Sequence, residues 1–278
     1  MRPEVQSQFA PFLKHLANAS EAVLLLDYDG TLAPFQVKRD QAHMYPGVAT
    51  VLQEIVRNRR TRVVVLSGRD ANEVLLLLNI HPRPEVWGIH GLQRIKTDES
   101  LEMAEVDERT RNGLSNADRW LGYQRLRHTA EFKAGSIAVH WRGMSDFEIE
   151  NLRSRVLLGW RPIAADSGLD LLAFDGGIEI RALGADKGDA VRTLLSEIKP
   201  TTPVAYLGDD TTDESAFQVL RDRGLSVLVR PAWRQTAAQF WLTPPDELLE
   251  FLGLWLQARS QHQGLNKGAA AAPAAVNE

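Results

Sequence analysis

Five apolar residues, Ala22-Val23-Leu24-Leu25-Leu26, run unbroken into Asp27-Tyr28-Asp29-Gly30. A run so short and so uniformly apolar suits a strand covered on both faces, as the strands of a parallel sheet are. The acidic, glycine-bearing stretch that follows marks the place where the chain leaves the sheet. The pattern recurs: Arg62–Leu66 ends at Ser67-Gly68, Pro203–Leu207 ends at Gly208-Asp209-Asp210, and Leu225–Val229 reads as a further strand. Between these runs the apolar spacing is helical. Val48, Val51, Leu52, Ile55 and Val56 predict a helix over Val48–Asn58, and Asp70 is placed to cap another through Leu78. Ala190, Val191, Leu194, Leu195 and Ile198 predict a third over Lys187–Ile198. A helix through Leu220 and one over Asp246–Ala258 complete the rhythm. Strands alternating with helices predict an α/β fold with an open parallel sheet.

The middle of the chain differs in kind. In Ser136–Arg142, Ile137, Val139 and Trp141 alternate with Ser136, Ala138, His140 and Arg142. Leu169–Phe174 and Ile178–Ala182 flank Asp175-Gly176-Gly177, a hairpin-turn signal, with Ile178 and Ile180 opposite Glu179 and Arg181. These are antiparallel strands with one packed and one polar face. The predicted division is a core from residues 1–103 and 183–260, an inserted α+β unit over 104–182, and a disordered tail over 261–278.

In an open parallel sheet, ligands sit beyond the carboxyl ends of the strands. Asp27, Asp29, Asp209, Asp210 and Asp213 would put five carboxylates in one small space there, which is costly unless a cation sits among them. Oxygen ligands without His or Cys suit Mg²⁺. Ser67, Gly68 and Lys187 supply the donors and the cation that suit a phosphate. Carboxylates holding both metal and phosphate point to phosphoryl transfer, with Asp27 as nucleophile and Asp29 as acid and base. The chain has no cysteine, which excludes thiolate metal sites, disulfides and cysteine nucleophiles, and fits a cytoplasmic location. A formal net charge of -4 gives no electrostatic reason to expect nucleic acid or an anionic membrane as partner. No apolar run is long enough to span a bilayer, and Met1–Ala10 lacks the unbroken apolar stretch of a signal peptide.

The clusters Asp27-Tyr28-Asp29-Gly30-Thr31, Ser67-Gly68-Arg69, Lys187-Gly188 and Gly208–Glu214 resemble, in this order, the motifs of the haloacid dehalogenase superfamily. The closer resemblance is to trehalose-6-phosphate phosphatases. Asp27–Pro34, Glu131-Phe132-Lys133, His140-Trp141-Arg142 and Glu179-Ile180-Arg181 carry it, over about Glu21 to Val229. It implies a Rossmann-like core with an α+β cap, and hydrolysis of trehalose 6-phosphate through an aspartyl phosphate. It also implies Mg²⁺ held by Asp27, Asp29 and Asp209 with Asp213 nearby, phosphate held by Thr31, Ser67, Gly68 and Lys187, and sugar faced by Glu131, Lys133, His140, Arg142 and Glu179. Trehalose metabolism pairs this step with a synthase, so the resemblance implies functional pairing with one.

The sequence also departs from that family. Where members often carry His-Gly-Ala-Glu, this chain has His90-Gly91-Leu92-Gln93, and Trp141 stands for a common tyrosine. Two rival readings stand beside the first: a phosphatase for another sugar phosphate, such as sucrose phosphate or a glycosyl-phosphoglycerate, and a non-catalytic sugar-phosphate sensor. The first differs in the cap; the second has no need of both Asp27 and Asp29.

Overall fold

A computed structural model describes residues 3–36, 38–133, 135–174, 176–182 and 186–260. The tail expected over 261–278 lies outside the described residues, as does Asp175 of the expected turn.

The strands are β1 (Ala22–Asp27), β2 (Thr61–Leu66), β3 (Glu85–Gly88), β4 (Gln93–Ile95), β5 (Leu101–Met103), β6 (Ala130–Lys133), β7 (Ser136–His140), β8 (Leu169–Phe174), β9 (Gly177–Ala182), β10 (Val204–Gly208), β11 (Leu225–Val229) and β12 (Phe240–Leu242). The α-helices are α1 (Pro3–Asn18), α2 (Val48–Arg57), α3 (Ala71–Leu78), α4 (Glu108–Tyr123), α5 (Asp146–Ser167), α6 (Lys187–Ser196), α7 (Glu214–Leu220) and α8 (Asp246–Ser260).

One sheet runs in the order β12-β11-β10-β1-β2-β3-β4-β5, parallel from β12 to β3 and antiparallel across β4 and β5. All six residues of β1 are buried, and the period of two sends them to opposite faces. Leu24 and Leu26 pack with Phe9 of α1, Leu52 of α2 and Trp255 of α8. Val23 and Leu25 pack with Val191 of α6 and Phe217 of α7. Each such leucine contributes roughly 1.5–3 kcal/mol by leaving water, which is why the run is apolar at every position. The β4–β5 extension was not anticipated; its strands are three residues each, and β5 is exposed along its length.

A second sheet, β6-β7-β9-β8, is antiparallel throughout. Ile137, Val139, Ile178 and Ile180 face Leu114 and Leu121 of α4 and Trp160 of α5, which cover one side. The expected alternation holds, but the opposite face is not left to water: all six residues of β9 are buried. Glu179 is 1% exposed and Arg181 9% exposed. Among the described residues, no helix is long and apolar enough to cross a membrane.

Candidate active site

The first sheet reverses its direction of growth at β1: the chain adds β2 and β3 on one side, then returns to place β10 on the other. Such a reversal opens a crevice at the carboxyl ends of the two strands. Asp27 ends β1 and Asp209 follows β10, so their carboxylates meet there.

Lys187 opens α6, whose N-cap Asp186 accepts from the Asp189 N–H. Its ammonium is buried and donates to Asp27 Oδ1 at 2.5 Å and to Asp213 Oδ1 at 2.6 Å. Asp213 also accepts from the Tyr206 hydroxyl at 2.5 Å and, through Oδ2, from the N–H groups of Asp209 and Asp210 at 3.0 Å. Its carboxylate therefore shapes the loop after β10 as well as holding Lys187. Gly208 is required for this: a Cβ there would lie 2.4 Å from the Asp213 carboxyl carbon.

Carboxylate oxygens of Asp27, Asp209 and Asp213 lie within 4.8 Å of one another, all buried. Burial pushes Asp27 up to about 7, against the pull of Lys187. Burial and the repulsion of Asp27 raise Asp209 well above the carboxylate range. Asp213 alone is held low: burial opposes its charge, but Lys187 outweighs it. One ammonium thus bonds two of the three carboxylates, and among the described residues Asp27 Oδ2 is buried with no hydrogen-bond partner. An oxygen-only donor set short of positive charge fits a hard divalent cation. Gly30, at φ 90°, keeps the approach open, since a Cβ there would come within 2.1 Å of Asp209 Oδ2.

The other two predicted carboxylates have different surroundings. Asp29 receives both ends of the Arg69 guanidinium, Nε to Oδ2 and Nη2 to Oδ1, each at 2.6 Å. Asp210 accepts from the Thr211 N–H at 2.7 Å and caps the short turn over Thr211–Asp213. The five-fold cluster is therefore three converging carboxylates, one paired with arginine and one cap. Ser67 is buried and accepts from the Arg69 N–H at 3.1 Å. Among the described residues, the buried Thr31 hydroxyl has no hydrogen-bond partner.

The polar face of the second sheet lines the same pocket. Register sets Glu131 opposite Ala138 and Ala138 opposite Glu179, so one small residue separates two carboxylates. Across that face Glu131 Oε2 lies 2.9 Å from His140 Nε2, and Lys133 Nζ reaches Glu131 at 3.9 Å and Glu179 at 3.3 Å. Ser136 Oγ donates to Glu179 Oε1 at 2.6 Å. Burial acts to raise Glu179, yet His90, Lys133 and Ser136 hold it well below the usual range. Arg142 lies 5.0 Å over the Phe35 ring, and its Nη1 donates to the Gln36 carbonyl at 3.3 Å. Asp27, Ser67, Lys187, Glu131, Lys133, His140, Arg142 and Glu179 all border this one cavity, which encloses about 90 Å³.

Arg69, Phe35, Tyr206 and His90 were given no role from sequence. Arg69 carried a signal, its place beside Ser67-Gly68, and His90 stood in the stretch compared with the family's His-Gly-Ala-Glu; Phe35 and Tyr206 are brought in by tertiary apposition alone.

A family model described as trehalose-phosphatase matches residues 25–244. Among curated relatives, a probable trehalose-phosphate phosphatase H of Arabidopsis thaliana is 29% identical over 93% of this chain and 79% of its own length. An uncharacterized glycosyl hydrolase of Mycobacterium tuberculosis is also 29% identical, over 86% of this chain, and this chain spans only 18% of that protein. Among solved structures, the C-terminal domain of Candida albicans trehalose-6-phosphate phosphatase superposes with a TM-score of 0.77 at 20% identity, over 89% of this chain and 96% of that one. The C-terminal domain of the Candida albicans trehalose synthase regulatory protein does so at 0.65 and 12%, over 91% and 98%. Those two likenesses are of fold. The match of the family model from residue 25 to residue 244, most of the 278 residues, is what makes this chain a member of the trehalose-phosphatase family.

Proposed function

We propose that the chain hydrolyses trehalose 6-phosphate to trehalose and inorganic phosphate. The observation that carries this reading is that Asp27, Asp29, Ser67 and Lys187 share one pocket with the charged face of the second sheet. A phosphate at one end and sugar hydroxyls at the other would use both walls.

Asp27 Oδ2, which has no hydrogen-bond partner among the described residues, attacks phosphorus. The bond from phosphorus to the sugar oxygen breaks, and Asp29 gives that oxygen its proton. Asp29 then takes a proton from water, which attacks the aspartyl phosphate at phosphorus and frees Asp27. Lys187, Ser67, Thr31 and the Gly68 N–H hold the phosphate oxygens. The Asp27 and Asp209 carboxylates and the Asp29 carbonyl would hold Mg²⁺, with Asp213 beside them; when bound, it offsets the repulsion between carboxylate and phosphate. Monoester hydrolysis needs on the order of 20 kcal/mol of barrier reduction, and acid–base catalysis worth about 10²–10⁴-fold cannot supply it alone.

Residues 104–182 serve as the specificity cap in this reading, over a core of 1–103 and 183–260. The cavity of about 90 Å³ is small beside the ~300 Å³ at the lower end of ligand pockets, and in this reading the cap opens to admit a disaccharide phosphate. Phosphate release from a panel of trehalose 6-phosphate, sucrose 6-phosphate, glucose 6-phosphate and mannosyl-3-phosphoglycerate, with Mg²⁺ and with chelator, is the test. Mg²⁺-dependent release from trehalose 6-phosphate is expected. Release from another member alone would keep the chemistry and overturn the substrate. No release from any would favour a sugar-phosphate sensor.

A further inference from the structure

Residues Ile89, His90 and Gly91 stand one after another at positive φ, 51°, 55° and 115°. Glycine adopts that region freely, but a β-branched residue such as Ile89 rarely does. The turn is held there by the phosphate-side loop: the Ile89 N–H donates to the Arg69 carbonyl at 2.8 Å, and the His90 N–H to the Ser67 carbonyl at 3.0 Å. Strain maintained by its surroundings is a pointer to function.

What the turn presents is the His90 imidazole. The ring lies directly on Gly68, where a Cβ would come within 2.6 Å of both Cε1 and Nε2. Its Nε2 lies 3.1 Å from Glu179 Oε2, the oxygen facing away from Ser136 and Lys133. Both side chains are buried, and Glu179 Oε2 makes no aligned hydrogen bond among the described residues. Burial holds the imidazole below its ordinary pKa, against the pull of the Glu179 carboxylate.

We propose that His90 is a positioning residue that braces Glu179 of the cap against the phosphate-binding turn Ser67-Gly68, aligning the sugar end of the substrate with the phosphate end. This rests on the sugar-phosphate reading above. The Glu179 oxygen that His90 approaches is buried and is not the one that Ser136 and Lys133 engage. His90 acts through Glu179, and its effect therefore depends on the substrate having a sugar.

A double-mutant cycle in the full chain with Mg²⁺ tests this, using His90→Asn, Glu179→Gln and the pair. Asparagine tolerates the left-handed backbone but is too short to reach Glu179. His90→Asn is expected to lower kcat/KM for trehalose 6-phosphate by about 10- to 100-fold, the range of one hydrogen bond to a charged group. The loss on p-nitrophenyl phosphate, which has no sugar, is expected to be at least about ten times smaller. The double variant should fall within about two-fold of Glu179→Gln alone, because the two residues act as a unit. His90→Gln, with a longer reach, should recover part of the loss. Additive losses, or equal losses on both substrates, overturn the proposal. Should His90→Asn fail a thermal-melt check, His90→Gly, which also suits the positive φ and has no side chain to reach Glu179, carries the cycle. If wild type turns over a different sugar phosphate, the substrate reading fails alone, and the cycle on that compound still decides the role of His90. If it turns over only the ester, both fall.

Discussion

The Lys187 ammonium lies 2.5 Å from Asp27 Oδ1 and leaves Asp27 Oδ2 without a hydrogen-bond partner among the described residues. One oxygen of the strand-end carboxylate is anchored and the other is available to react. Asp27→Asn keeps the volume and the anchor but removes the nucleophile. Phosphate release should drop by about 10⁴-fold or more, while the thermal midpoint stays level or rises as repulsion on Asp209 is relieved. Turnover that survived this change would exclude the covalent route.

Lys187 also holds Asp213, so its removal strands buried charge. Lys187→Met should cost about 3–5 kcal/mol in urea unfolding, the usual penalty for breaking a buried ion pair from one side. Mg²⁺ should restore part of it by binding the folded state. A cost below about 1 kcal/mol would mean that protonation of Asp27 and Asp209 had already dissipated the charge.

The pH dependence of stability follows from Asp27. Burial lifts its folded pKa from 3.8 to about 7. Such a group stabilises fully below the unfolded value, and that contribution is lost as pH rises through the folded one. In chelator, unfolding free energy of wild type should therefore fall between about pH 4 and pH 7 by a few kcal/mol relative to Asp27→Asn. Added Mg²⁺ should flatten or reverse the slope, since it binds the ionised carboxylates. A wild-type profile parallel to that of Asp27→Asn in chelator would contradict the raised pKa.

Much of this site was legible before any coordinates. The run Ala22–Leu26 fixes β1 because burial on both faces leaves no room for a polar residue, and Asp27 then has to stand at its end. Asp210 shows the limit of composition. The same residue type three positions from Asp213 serves as a cap, a distinction set by backbone geometry and not by pattern. Glu179 shows a second limit. Alternation put it on a polar face, but only the apposition of that face to Ser67-Gly68 and His90 buries it. His90 stood in a stretch set beside the family's His-Gly-Ala-Glu, but its role was not readable there, since nothing in Ile-His-Gly announces two non-glycine residues at positive φ.

Gly30 is a point where one added carbon should separate folding from function. Its φ of 90° and the 2.1 Å approach of a Cβ to Asp209 Oδ2 mean that Gly30→Ala must push Asp209 away from Asp27. The variant should lose about 10²-fold or more in turnover, the scale of an ångström-sized misplacement, and need more Mg²⁺ for half-maximal rate. Unchanged Mg²⁺ dependence would argue that Asp209 does not hold the metal.

Arg142, just past β7, contacts the loop after β1. Its guanidinium lies 5.0 Å over Phe35 and donates to the Gln36 carbonyl. A cation–π contact of this kind contributes about 0.5–1 kcal/mol when exposed, and the hydrogen bond a similar amount. Arg142→Ala should therefore favour the open cap by roughly 1–2 kcal/mol. In hydrogen exchange, amides of Phe35 and Gln36 should lose protection in the variant, and substrate analogue should restore less of it than in wild type. Kinetically, KM for the sugar phosphate should rise more than KM for p-nitrophenyl phosphate, because the small ester needs no contact with the cap. Protection that is unchanged in the variant would mean the cap stays closed without Arg142. A loss equal on both substrates would place its effect at the phosphate and not at the sugar.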